Sequence, residues 1–343
     1  MNNVECTFLN EHQLPLVIQA KNNTIKNIDG LIAFIHHNNA FFKAQLLHYG
    51  AVLFRGFHVS SANDLSNAIT ACELGQPYPY EPCVVPRTKI KDNIYTSIDV
   101  PSFTNVPLHN EKAYDLDSPS HIYFNCITPS EVGGNTPLLN GYQLWKSLPD
   151  ALQQKLVEKG ILYRKFFYGN SLEYRFVHAI SQGKFAETWM MEFKTNDAAI
   201  VEKILNERQN HYRWENFRKR LIIDRITPAY RYHPINQKMV WFNPIAHRNH
   251  HHNGVYHALN QTIKNPLFRM ILSQQRFLQT TAYYGDGEPI SKADAIWLQT
   301  ATENQKVSYP WQQGDFIVID NYLCMHGKEP HKGARLIITG MTQ

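Results

Sequence analysis

The run GDFIVIDN, Gly314–Asn321, limits what this chain can become more than any other stretch. Four apolar residues stand together between two aspartates, too few for a helix and apolar on both faces. That is the signature of a strand covered on both sides. AVLFRGF (Ala51–Phe57), HIYFNCI (His121–Ile127) and ARLIITGM (Ala334–Met341) read the same way. NIYTSIDV (Asn93–Val100) alternates like a half-buried strand, and QKMVWFN (Gln237–Asn243) is strand-like. Helical spacing runs from Asn27 to Gly50, where a glycine stops it. It returns at Gly141–Gly160, at Thr195–Gln209 with Thr195 or Asn196 as cap, and at Ile290–Gln305, where Ser291 caps and Asp294 follows three residues on. Strands bracketing a helical middle predict an α+β chain. The layout is a β-sandwich or jelly roll in one domain, residues 1–343, with a helical insertion at about 141–235.

Composition narrows the class. Of 343 residues 43% are hydrophobic and 18% charged, enough for a substantial core. The net charge of +5 is mildly basic. Its densest basic run, RWENFRKRL (Arg213–Leu221), reads as the solvated face of a helix, and no nucleic-acid-binding motif accompanies it. The five cysteines, Cys6, Cys72, Cys83, Cys126 and Cys324, are odd in number and never three apart. This argues against a disulfide framework and a cysteine-rich zinc site. The start MNNVECTFLNEHQ lacks a basic region followed by an apolar one, and no run is long and apolar enough to span a bilayer. The expectation is a cytoplasmic protein with no membrane and no nucleic-acid partner.

Chemistry begins at NVPLHNEKAYD, Asn105–Asp115. On an extended strand His109 and Glu111 share a face and can point at one atom. Chance alone supplies about 1.4 His-x-acid pairs in a chain with this many histidines and acids, so the pair needs support. Near the C-terminus DNYLCMHGKEPHKGARLIITGM supplies His326 after the buried strand and Arg335 nine residues later. Two imidazoles and a carboxylate form the facial triad that binds non-haem Fe(II) and leaves positions open. A guanidinium such as Arg335 can grip the far carboxylate of a 2-oxo acid. Between them EVGGNTPL (Glu131–Leu138) pairs two glycines for a tight turn with Thr136, whose hydroxyl can donate to the same carboxylate. Two rivals compete as ligands. His331 lies in a Pro/Gly/Lys-rich loop, and His326 is preferred because it follows the strand directly. HRNHHHNGVYH packs His247, His250, His251, His252 and His257 together. Consecutive histidines rarely point at one ion, so that tract reads as a flexible surface loop.

In this order the motifs resemble the TauD/TfdA family of Fe(II)- and 2-oxoglutarate-dependent oxygenases, closest to its clavaminate-synthase-like and syringomycin-pathway hydroxylase branch. Collinear stretches carry the resemblance along nearly the whole chain: GAVLFRGF, YTSIDVP, PLHNEKAY, GGNTPL, HPINQKMVWFN, YGDGEPI and WQQGDFIVIDNYLCMHGKEPHKGAR. It implies a double-stranded β-helix core with flanking and inserted helices. It implies iron on His109, Glu111 and His326, 2-oxoglutarate on Thr136 and Arg335, and O2 as the other co-substrate. Many members carry aspartate where this chain has Glu111, and some amino-acid hydroxylases of the family carry glutamate. Related halogenases replace this carboxylate with a small residue, so Glu111 disfavours halogenation.

The reaction so implied hydroxylates an unactivated C–H bond of a small polar metabolite, an amino acid or derivative, free or tethered to a carrier protein. Desaturation, ring closure or epoxidation on the same site is the nearest alternative. A binding-only jelly roll and a nucleic-acid demethylase are the others. Proximity to the motifs nominates Tyr95, Lys112, Tyr114 and Asn243 for the substrate pocket. Lys112 with Asp115 and Asp117 could hold a zwitterion, because an apolar substrate would leave such charges unpaired.

Overall fold

The strand Phe316–Asp320 is buried along its whole length. It lies within an eight-stranded sheet, between Ala51–Arg55 and His121–Thr128. The computed structural model describes residues 3–80, 86–113, 117–208, 210–215, 219–252 and 254–343. In space the sheet runs Val4–Phe8, Leu16–Ala20, Ala51–Arg55, Phe316–Asp320, His121–Thr128, Leu336–Thr342, Ile94–Thr96, Lys89–Lys91. Leu16–Ala20 and Ala51–Arg55 pair in parallel, and the other neighbours are antiparallel.

Period-two alternation sends the central strand's side chains to two cores. Phe316 and Val318 join Ile18, Val52 and Phe54 beneath Leu31, Ile35, Phe42 and Leu65 of three helices. Ile317 and Ile319 turn the other way, into a cluster with Val17, Leu53, Phe124, Leu138, Tyr309, Trp311 and Cys324. That second core meets a three-stranded sheet, Val106–His109, Cys324–Lys328 and Leu138–Asn140. It is this smaller sheet that carries the histidines.

The chain divides into two compact units. The first comprises Met1–Ser147, Tyr230–Pro244 and Ala301–Gln343, and the second Leu148–Ala229 and Ile245–Thr300. The second is not simply helical as expected for residues 141–235. Its antiparallel sheet joins His211–Glu215, Arg220–Thr227, Ile161–Tyr168 and Thr280–Tyr284. Of the basic run expected on a helix, Arg213–Glu215 and Arg220–Leu221 lie on two of these strands, and residues 216–218 lie outside the described residues. Arg213 pairs with Asp224 at 2.9 Å, and buried Arg220 grips Glu173 at 2.7 and 3.1 Å. Asp224 on the neighbouring strand and Glu173 on a helix meet charges that sequence spacing assigned to solvent, although Arg213 stays half exposed.

Helix ends differ from the sequence in instructive ways. The helix expected from Asn27 to Gly50 is two, Ile28–His37 and Asn39–Tyr49. Asn38 donates its side-chain amide to the Phe34 carbonyl (2.9 Å), competing with the backbone at the break. The helix expected over Gly141–Gly160 breaks at Pro149, which lacks the N–H a continuing helix needs. Asp197, rather than Thr195 or Asn196, caps Ala198–Glu207 by accepting from Ala199 N–H at 2.8 Å. The histidine tract is a loop only in part. It follows the short helix Ile245–Arg248 and leads into Gly254–Thr262, and buried Asn249 accepts from the backbone N–H groups of His251 and His252, both at 2.9 Å. Among the described residues no helix is long and apolar enough to cross a membrane. Cys6, Cys72, Cys126 and Cys324 are free thiols, and Cys83 lies outside the described residues.

Candidate active site

Antiparallel pairing of Cys324–Lys328 with Val106–His109 sets His326 opposite His109, ring centroids 4.6 Å apart. The strand stops at His109, so Glu111 is not held on a shared strand face as its spacing suggested. Asn321 holds it instead. The Asn321 side chain accepts from Glu111 N–H (2.8 Å) and donates to the Glu111 and Pro119 carbonyls (3.1 and 2.8 Å). Asn110 donates back to the Asn321 carbonyl at 2.7 Å. This clamp turns the chain so that one ligand atom each from His109, Glu111 and His326 lies within 4.8 Å of the others.

The donor atoms suit a divalent metal. His109 Nδ1 lies 2.8 Å from the Pro107 carbonyl, which can only accept. Nδ1 therefore carries the hydrogen and Nε2 keeps its lone pair. His326 Nδ1 is buried without a hydrogen-bond partner among the described residues, and Nε2 stands 3.8 Å from Glu111 Oε2, too far for a hydrogen bond. Burial above all, with Arg87 nearby, holds the His326 imidazole well below its ordinary pKa, in the neutral ligating form. Burial alone would raise Glu111, but Arg87, His109 and His326 outweigh it and bring the carboxyl down to about 2. The three groups would hold a divalent ion that draws them closer together.

The residues nominated for the 2-oxo acid, Arg335 and Thr136, flank one glycine-containing loop. Arg335 directly precedes the strand Leu336–Thr342, and its Nε donates to the Gly134 carbonyl at 2.8 Å. Its two Nη groups find no protein acceptor among the described residues. Burial lowers its pKa to about 10, which leaves it charged at neutral pH. Gly134 has φ +71°, and a Cβ there would stand 2.9 Å from His331 Cβ and 3.0 Å from Arg335 Cδ. Only glycine lets the loop approach the arginine so closely. Two residues on, Thr136 is buried and accepts from Trp311 Nε1 at 3.2 Å, which leaves its own O–H to donate elsewhere. His331 pairs with Gly133 in a two-stranded ladder and is not part of the trio.

The nominated substrate residues fare unequally. Tyr95 is buried with its ring 5.5 Å from Tyr80. Lys112 donates to Tyr78 Oη (2.7 Å), which in turn donates to Asp117 (3.1 Å), so this lysine and aspartate meet at a tyrosine. Asn243 is fully buried, and its carbonyl accepts from Trp241 Nε1 at 2.8 Å. Tyr114 and Asp115 lie outside the described residues.

Sequence reasoning missed Arg87. Its Nη2 donates to Glu111 Oε2 at 2.8 Å, and its side chain is 5% exposed. Its guanidinium lies over the Tyr80 ring at 4.7 Å. A lone arginine after a proline in VVPRTKIK carries no pattern that announces this place. Asn321 was missed for the same reason.

Residues 26–342 match the family model described as taurine catabolism dioxygenase TauD, TfdA family. The chain belongs to the TauD/TfdA family. It is an Fe(II)- and 2-oxoglutarate-dependent dioxygenase with a double-stranded β-helix core. It is 26% identical over 302 residues to a clavaminate synthase-like protein of Arabidopsis thaliana, covering 87% of this chain and 83% of that one. It is 25% identical over 290 residues to the dapdiamide synthesis protein DdaC of Enterobacter agglomerans, covering 84% and 80%. Among solved structures it is similar in fold to PvcB of Pseudomonas aeruginosa, described as an Fe, alpha-ketoglutarate dependent oxygenase from an isonitrile synthetic pathway. That match has a TM-score of 0.52 at 12% identity and covers 99% of this chain and 92% of the other.

Proposed function

We propose that this dioxygenase hydroxylates an unactivated C–H bond of an amino acid or amino-acid derivative, free or tethered to a carrier protein. In this proposal His109, Glu111 and His326 hold Fe(II), and Arg335 with Thr136 holds the far carboxylate of 2-oxoglutarate. The observation that carries it is the convergence of two lone-pair-bearing imidazoles and one ionised carboxylate within 4.8 Å. Fe(II) when bound supplies the oxidising chemistry, coupled to conversion of 2-oxoglutarate and O2 to succinate and carbon dioxide. The chain supplies the rest. His109 is kept in one tautomer by Pro107, Glu111 is aimed by Asn321, and Phe124 packs near the His326 ring at 5.3 Å. Arg335 fixes the direction of the 2-oxo acid by gripping the end remote from its reacting carbons. The substrate class is supported by the relative named for dapdiamide synthesis and by the contacts that join Lys112, next to Glu111 in sequence, to Tyr78 and Asp117.

The experiment incubates the protein with Fe(II), ascorbate, 2-oxoglutarate and a panel of amino acids, carrier-tethered thioesters, sulfonates and aryloxy acids. Substrate-dependent succinate with a product heavier by one oxygen atom is the expected result. Turnover confined to sulfonates or aryloxy acids overturns the amino-acid assignment. A product lacking two hydrogens overturns hydroxylation.

A further inference from the structure

Arg87 is a buried cation one hydrogen bond from Glu111. Without a metal the two charges compensate each other. A dication on the trio changes this. The dication, the Glu111 carboxylate, the Arg87 and Arg335 guanidinium ions and dianionic 2-oxoglutarate together leave one net positive charge in a buried site. Buried charge without a counter-charge is costly, and the bound metal is the largest local charge. Arg335 is matched by the co-substrate, so the surplus belongs to Arg87.

The donors of Arg87 support the same conclusion. Nη2 is used by Glu111, while among the described residues Nη1 finds only Met341 Sδ, a weak acceptor 3.9 Å away. Nε is buried without any hydrogen-bond partner among the described residues. Buried guanidinium donors left unmatched are rare in folded proteins. Tyr80 covers the plane of the group, so an acceptor must approach at its edge, where a carboxylate fits. Among the described residues Lys112 is engaged with Tyr78, and buried Lys328 with the Ser102, Thr104 and Glu329 carbonyls.

We infer that Arg87 anchors an anionic group of the primary substrate, a carboxylate, beside the metal trio. The inference rests on the proposed function and narrows it: the molecule oxidised carries its own carboxylate, and the carbon attacked lies a short reach from it. An amino acid with a free α-carboxylate fits. One esterified to a carrier fits only if a second acid group remains.

The test uses the full chain loaded with Co(II), a redox-quiet stand-in with visible d–d bands, and saturating 2-oxoglutarate. Acids and their amides are titrated as pairs: acetate with acetamide, and each protein amino acid with its carboxamide. Saturable spectral change with acids and not with their amides is expected. In Arg87→Met the acids should bind at least about tenfold more weakly, because one side of a buried charge pair is gone. Arg87→Lys should recover part of the loss. Acids without effect, acids and amides acting alike, or Arg87→Met binding acids as tightly as wild type would each overturn the inference. The wild-type comparison decides even if the methionine variant does not fold. If 2-oxoglutarate itself leaves the Co(II) spectrum unchanged, the proposed assignment of the site fails as well. If it binds and only the acids fail, the anchor alone is wrong.

Discussion

His109 and His326 stand opposite each other on paired antiparallel strands, ring centroids 4.6 Å apart, although most of the chain lies between them. One strand pairing therefore builds two thirds of the candidate metal site. The third member comes from the turn that follows, and its position depends on Asn321.

His326→Ala should abolish metal binding and turnover, because a facial site with one ligand missing holds neither the ion nor its open positions. His331→Ala should leave binding stoichiometry unchanged. Equilibrium binding of Fe(II) or Co(II) to both variants checks this. A His326→Ala protein that binds one ion per chain would remove His326 from the site.

Arg335→Ala should raise the KM for 2-oxoglutarate by the equivalent of about 2–5 kcal/mol, the cost of truncating one side of a buried charge pair. Thr136→Val should cost about 0.5–3 kcal/mol, the range for one hydrogen bond to a charged group. Initial rates against 2-oxoglutarate concentration compare the two. Equal effects would show that the hydroxyl and the guanidinium do not differ as proposed.

Asn321→Ala should weaken metal affinity by about 10- to 100-fold, the usual effect of removing a partner that orients a ligand. Its three bonds hold the Glu111 turn, not the ion. Competition with a metal indicator measures the change. Wild-type affinity in a folded Asn321→Ala protein would show that the turn holds itself.

Gly134→Ala should destabilise the protein by at least about 1–2 kcal/mol, the cost of placing an L side chain in the left-handed region. Contact with His331 and Arg335 adds to it. Urea unfolding gives the stability, and the variant should also bind 2-oxoglutarate less tightly.

Metal-free protein should lose stability in acid through Glu111. Its carboxyl is depressed from the ordinary 4.5 to about 2 by its neighbours, Arg87 foremost, which outweigh burial. A group with a depressed folded pKa contributes stability above its unfolded pKa and loses it as pH falls towards the folded value. Urea unfolding in chelator between pH 5 and 2, bounds taken as about those of this window, should show a shallower acid slope for Glu111→Gln than for wild type. Parallel slopes would exclude Glu111 as the source.

Local pattern was sufficient for much of this protein. Four apolar runs in a row with turn residues around them have few outcomes besides buried strands, and all four form neighbouring strands of one sheet. His-x-Glu, Gly-Gly-x-Thr and the later His and Arg were legible because each is a short motif whose spacing has chemical meaning. Tertiary structure decided what depends on partners distant in the chain. The run around Arg213 became strand because Asp224 and Glu173 meet its charges across a sheet and from a helix. Glu111 was aimed by Asn321, not by strand periodicity. Arg87 reached the site because the fold carries its segment to Glu111, where an ion pair can form out of water. Periodicity encodes which face of an element is apolar. It cannot encode which single polar side chain, brought from elsewhere, will find its counter-charge in the interior.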